Sequence, residues 1–134
     1  MTTSFTPAGN DCLLTELDHQ RLRRFVSRHE PLHQLLDGAE LVPSTALPAN
    51  VVSMNSEVEV LDPALGRPQR LTLCYPADAN ADQGRISVLS PVGLSLLGRP
   101  VGSRVQWRAG GGIVGSLCIE ALLYQPEASG HLTR

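Results

Sequence analysis

Apolar residues recur with a helical period near the start of the chain and with a period of two from residue 51 onward. Leu22, Phe25 and Val26 form one stripe, with Arg21, Arg24 and Arg28 off it, which predicts a first amphipathic helix. Asp18 is placed as its N-cap, and Leu17 against Leu22 as a hydrophobic staple. Pro31 ends that helix. Leu32, Leu35, Leu36 and Ala39 follow at i, i+3, i+4 and i+7, so a second helix begins near Pro31 and stops before Pro43. Each arm would be roughly ten residues, about 15 Å long at about 1.5 Å per residue. A tight turn between them predicts a short antiparallel, coiled-coil-like helical hairpin over 13–42. Its stripe would be buried between its own two arms, which makes it an appendage.

Residues 43–50, with Pro43 and Pro48, read as a linker. The period of two then takes over. Val58 and Val60 alternate with Glu57 and Glu59, and Leu71 and Leu73 with Arg70, Thr72 and Cys74, across a turn from Asp62-Pro63 to Pro68; this predicts a hairpin. Pro76–Gly84 is a polar loop. Ile86 and Val88 flank Ser87 in a third strand. Ser90 is a good N-cap, Pro91 suits a first helical turn, and Val92, Leu96 and Leu97 give the short helix that follows an apolar face. Gly98 can take a left-handed cap and Pro100 forbids continuation. Val105 and Trp107 mark a fourth strand. After Gly110-Gly111-Gly112, the series Leu117, Ile119, Ala121 and Leu123 marks the longest strand. Residues 1–12 and the tail after Pro126 are expected to be loose.

Composition narrows the chemistry. The chain has 134 residues, 42% of them hydrophobic, enough for one core, but only Phe5, Phe25, Tyr75, Trp107 and Tyr124 are aromatic. The net charge of −2 gives no overall pull toward nucleic acid. All 11 cationic side chains are arginine, which removes lysine-dependent chemistry such as the P-loop and Schiff bases. Cys12, Cys74 and Cys118 are odd in number and widely spaced. With no signal peptide or membrane span visible, they predict a cytoplasmic protein with reduced thiols.

Two motifs tempt and fail. His29-Glu30-Pro31-Leu32-His33 spells the zinc-protease signature, but Pro31 would sit inside the helix that must carry both histidines. Gly110–Gly115 fits a dinucleotide loop, but a strand follows where a helix is required. Asp62, Asp78 and Asp82 read as turn residues, and Glu57 and Glu59 as a solvated strand face. Arg21, Arg23, Arg24 and Arg28 cluster on the first helix, a face suited to an acidic protein surface, to a phosphate backbone or simply to solvent.

The block Ile86-Ser87-Val88-Leu89-Ser90-Pro91-Val92-Gly93, with Leu96-Leu97-Gly98, Val101-Gly102 and Tyr124, resembles the C-terminal domain of the GreA/GreB transcript-cleavage factors. Val51-Val52-Ser53-Met54-Asn55-Ser56, Tyr75-Pro76 and Tyr124-Gln125-Pro126-Glu127-Ala128 make it similar to the Rnk group, the regulators of nucleoside diphosphate kinase. The resemblance covers Val51–Gly130. It implies an FKBP-like domain over 51–134 and an N-terminal coiled coil. The expected fold is therefore α+β, an FKBP-like antiparallel sheet of about five strands with one short helix, behind the short helical hairpin.

The resemblance also implies a non-enzymatic regulator that binds RNA polymerase near its secondary channel and competes with Gre factors. Gre factors hold magnesium with acidic residues at the coiled-coil tip. Here the tip offers Glu30 alone, among Arg28, His29 and His33, and a hard cation wants several oxygen ligands, so no transcript cleavage is expected. The residues placed at the partner are Ser90 and Pro91 in the pre-helix loop, Met54, Asn55 and Ser56, and the helix cations Arg24 and Arg28. No catalytic residue, cofactor, metal or small-molecule substrate is assigned. DNA contact is at most indirect, and the chain is expected to be a monomer off the membrane. Two other readings stand beside this one. One is a peptidyl-prolyl isomerase, by analogy of fold. The other is a regulator of nucleoside diphosphate kinase level acting through another protein.

Overall fold

A computed structural model describes residues 12–109 and 112–130. The chain starts with a short strand, β1 (Leu13–Thr15), which runs directly into α1 (Glu16–Leu22). Thr15 caps this helix, its Oγ1 accepting from the Asp18 N–H at 3.0 Å, so the cap lies three residues before the expected Asp18. Asp18 is instead inside the helix and buried. A six-residue 3-10 segment, Arg23–Arg28, carries the chain to His29, and α2 (Glu30–Gly38) follows with Pro31 in its first turn. After α2, strand β2 (Glu40–Val42) pairs in parallel with β1.

The arms do not bury their stripe against each other alone. Leu14, Leu22, Leu32 and Leu36 lie in one continuous core with Val52, Met54, Leu96 and Leu97. The Leu13 N–H donates to the Gly98 carbonyl, and the Val52 carbonyl accepts from the Gly98 N–H. Gly98 has φ +78°, as its place after the helix requires, and a Cβ there would strike the Cys12 sulfur and the Leu13 nitrogen. The glycine thus stops the helix Pro91–Leu96 and admits the N-terminal strand. Folding back is favoured because the sheet has one face to cover and one six-residue helix cannot cover it.

The expected five strands are present: β3 (Glu57–Leu61), β4 (Pro68–Cys74), β5 (Arg85–Ser87), β6 (Arg104–Ala109) and β7 (Gly112–Tyr124), in the order β5-β4-β3-β7-β6. The sheet is mixed rather than wholly antiparallel, because β5 pairs in parallel with β4. The loop Pro76–Gly84 is long enough to carry the chain back along β4 before β5 begins, which a tight turn could not do. The longest strand also departs from strict alternation. Register shifts against β3 fall between Glu57 and Val58 and between Glu59 and Val60. They turn Leu122 toward the core in line with Ile119, and leave Leu123, expected inside, 43% exposed. α3 (Pro91–Leu96) packs between β5 and β6. Beyond β7, the segment expected to fray forms one helical turn, α4 (Pro126–Ser129). Gln125 ties it down: its Nε2 donates to the Pro48 and Val51 carbonyls at 2.8 and 2.7 Å, and its Oε1 accepts from the Ala128 N–H. The glycine turn at 110–111 lies outside the described residues.

Candidate functional site

The head of α3 is fixed by hydrogen bonds that follow directly from its sequence. The Ser90 Oγ accepts from the Gly93 N–H at 3.1 Å and donates to the Ser87 carbonyl at 2.7 Å. The Ser87 Oγ accepts from the Leu89 N–H at 3.1 Å. The loop Ser87–Ser90 is therefore locked before the helix starts, and Pro91 stands exposed at its first position.

A second element reaches this loop. The ring of His29 caps α2 by accepting from the Leu32 N–H at Nδ1, so its proton sits on Nε2, which donates to the Leu89 carbonyl at 2.9 Å. Both ring nitrogens are engaged, which gives the histidine of the protease-like motif a positioning role. The link brings Pro31 beside Pro91. With Leu89, Leu94 and Trp107 they wall an apolar cleft of about 320 Å³, with His29, Ser95 and Gln106 as its polar groups. Trp107 reaches it from β6 and stacks over Gly115, where any side chain would collide with the indole ring.

The remaining expected site residues separate. Met54 is 2% and Ser56 0% exposed, so neither offers surface to a partner. Their turn has one left-handed residue, Asn55 at φ 67°, a conformation that asparagine tolerates better than most. That geometry turns Met54 into the core, and its N–H donates to Asp18 Oδ2 at 3.0 Å. The Ser56 Oγ accepts from the Ser53 N–H and bonds the Ser53 Oγ, which in turn donates to Glu127 at 2.6 Å. Arg24 and Arg28 are exposed on the 3-10 segment. Arg24 and Asn55 line a separate, larger cleft and are absent from the walls of the one at Pro91.

Electrostatics mark this inner turn. Burial pushes the Asp18 carboxyl up to about 6, reinforced by Glu127 and opposed by the Met54 N–H and Arg21. Tyr75 is pushed up to about 12, first by burial and then by the Asp18 charge, against Arg21 and Arg24. Burial also raises the Cys74 thiol, whose sulfur lies 3.5 Å from the Ile86 carbonyl, as suits a packing residue. Among the described residues no three histidine, cysteine or acidic side chains group as metal ligands would.

Pro91 and Ser90 were legible from the capping signature. His29, Pro31 and Trp107 are not legible as one site, because the first two lie in a turn between helices and the third on a strand more than seventy residues on, and local pattern does not bring them together. The proline at the start of α2 and the lone tryptophan were the available signals.

Comparison with known proteins agrees with this architecture. The model of the family described as "Transcription elongation factor, GreA/GreB, C-term" matches residues 47–122, which hold β3 to β6, α3 and most of β7. The regulator of nucleoside diphosphate kinase of Escherichia coli K12 is 38% identical over 101 residues, 75% of this chain and 74% of that protein. The transcription elongation factor GreA of Rhodospirillum rubrum is 31% identical over 85 residues, 63% of this chain and 54% of that one. A solved GreA/GreB elongation factor from Nitrosomonas europaea superposes with a TM-score of 0.71 at 31% identity, over 89% of this chain and 100% of that chain. The chain belongs to the GreA/GreB C-terminal family of transcription elongation factors, among members similar to the regulators of nucleoside diphosphate kinase.

Proposed function

We propose that this protein is a non-enzymatic transcription regulator of the Rnk type that docks on RNA polymerase near the secondary channel. It competes there with Gre factors without stimulating transcript cleavage. Membership of the family supports a transcription-related role. The observation that carries the docking reading is the cleft at the head of α3. Its rim residue Pro91 is exposed and apolar, its loop is locked by Ser87 and Ser90, and His29 holds Pro31 as the facing wall. A preformed apolar notch loses little conformational freedom on binding, which suits an apolar element of a protein partner.

The turn between α1 and α2 supports the absence of Gre-like chemistry. Glu30 is its one carboxylate; it lies 3.8 Å from His33 and accepts from Gln34. One carboxylate so engaged does not fit a magnesium site, which needs several oxygens. The same turn is drawn onto the Leu89 loop instead of projecting. No helix among the described residues is long and apolar enough to cross a membrane, and the protein acts in the cytoplasm as a monomer in this reading.

Purified core polymerase from the source organism provides the test. Retention at micromolar protein and low salt is expected, with displacement by a Gre factor and no cleavage of backtracked transcripts. Pro91→Arg should abolish retention while leaving the melting temperature unchanged. No retention of the unaltered protein, or clear turnover of a proline peptide, overturns the proposal.

A further inference from the structure

The larger cleft lies where the N-terminal arm meets the β4–β5 edge, and it shares no lining residue with the cleft at Pro91. Its volume of about 670 Å³ falls within the range of small-molecule sites. Three guanidinium groups line it from two parts of the chain: Arg21 and Arg24 from the arm, Arg85 from β5. Asp78 is the one carboxylate among its walls, in a chain whose overall charge is −2. The Arg85 side chain also bonds the Cys74 thiol and favours its ionised form, a weak neutral partner that leaves the guanidinium charge uncompensated. The cleft is therefore a local concentration of positive charge on a net-negative molecule, the arrangement that draws a small anion.

Its apolar component is aromatic. Phe25 and Tyr75 have ring centroids 6.2 Å apart and planes tilted by 32°, and both line the cleft. The Tyr75 hydroxyl is buried and has no hydrogen-bond partner of good geometry, although the Arg21 guanidinium is close enough to favour its ionised form. Asn55 and Thr72 add neutral hydrogen-bonding groups, and Asn55 is held in place by its left-handed backbone. Cations, a pair of rings, an amide and a hydroxyl surround one space of limited size. That set matches a ligand with a phosphate group at one end and a planar ring at the other, since arginine binds phosphate bidentately and rings prefer rings or guanidinium planes. A nucleic-acid strand would need a track of cations. Arg23 and Arg28 of the arm are exposed and stand outside the cleft, which leaves no such track.

We propose that this cleft binds an organic phosphate of nucleotide size, its phosphate on Arg24 and Arg85 and its ring against Phe25 and Tyr75. The site is independent of polymerase docking. It also depends on the arm: the matched family region begins at residue 47, so Arg21, Arg24 and Phe25 come from outside it.

The test is calorimetric titration of the intact protein, alone and without polymerase, with nucleoside mono-, di- and triphosphates, ribose 5-phosphate and inorganic phosphate. Nucleotides are expected to bind, with affinity falling as salt rises, and inorganic phosphate to bind at least about tenfold more weakly. Arg24→Ala and Arg85→Ala should each weaken nucleotide binding by about tenfold, the usual order for losing a charge-assisted contact. Arg23→Ala should leave it unchanged. Three results overturn the proposal. These are no nucleotide binding at millimolar concentration, equal binding of inorganic phosphate, and equal losses in the Arg23 and Arg24 variants. Where nucleotides fail to bind, binding of an acidic peptide would make the cleft a protein contact.

Discussion

Asp18 is the residue at which the local sequence and the tertiary structure diverge most. A carboxylate in the first turn of a helix is ordinarily favourable at the exposed N-terminus. Here it is 3% exposed and serves as acceptor for the Met54 N–H across the junction of arm and sheet. Its acid form is favoured in the native state, with a pKa near 6 against an ordinary 3.8. The folded protein therefore holds this proton where the unfolded chain releases it. Stability from Asp18 is full below about pH 4, falls as pH rises through the window up to about 6, and stays lower above it. At about 1.4 kcal/mol per pKa unit the penalty at neutral pH is of order 2 to 3 kcal/mol. Asp18→Asn keeps an acceptor for Met54 and removes the charge. It should be more stable than the unaltered protein at pH 7 by about that amount, and equal to it at pH 4. Urea unfolding at the two pH values reads this, and an identical difference at both would show that Asp18 ionisation is not the cause.

At the scale of elements, the unit from β5 through α3 carries the docking loop, and its closeness depends on Gly93. A Cβ at this position would meet the Ser87 carbonyl oxygen and come within 2.9 Å of the Ser87 carbonyl carbon and Val88 Cα. All three are backbone atoms, so no side chain can swing away. Gly93→Ala should gain up to about 1 kcal/mol of helix propensity. It should lose more, about 3 kcal/mol, in forcing strand and helix apart. A lower melting temperature and loss of polymerase retention are expected together; an unchanged or raised melting temperature would contradict the packing described. The parallel pairing of β5 belongs to the same scale. Alternation located the five strands of the main sheet, though neither β1 nor β2, and direction depends on where the loop Pro76–Gly84 delivers the chain, since alternation is the same read either way.

For the whole molecule, the arm and the sheet share one core. Leu14, Leu22, Leu32 and Leu36 are each 5% exposed or less. Burying a leucine is worth about 1.5 to 3 kcal/mol, so the four contribute about 6 to 12 kcal/mol, similar to the whole stability of a domain this size. A fragment beginning at Leu47 should therefore fail to show cooperative unfolding, or should melt far below the intact protein. Calorimetry of the two decides it, and equal melting temperatures would make the arm the appendage that its sequence suggests. The shared core also brings His29 and Pro31 to Leu89, and Arg24 to Arg85, so both clefts depend on the arm being docked.

The five strands, the Ser90–Pro91 start of α3 and the Gly98 stop follow from the sequence alone, because they rest on local rules: side-chain period, capping chemistry and allowed φ, all carried within a few residues. The family came from a resemblance of whole motifs, which no period or cap supplies. The tertiary structure alone decided that Met54 and Ser56 face inward, that β5 runs parallel, that Leu122 replaces Leu123 in the core, and that the arm folds onto the sheet. Each of these turns on which distant surface is available to bury an apolar face or satisfy a buried polar group. A stripe of leucines on a helix says that it must be covered; it does not say by what.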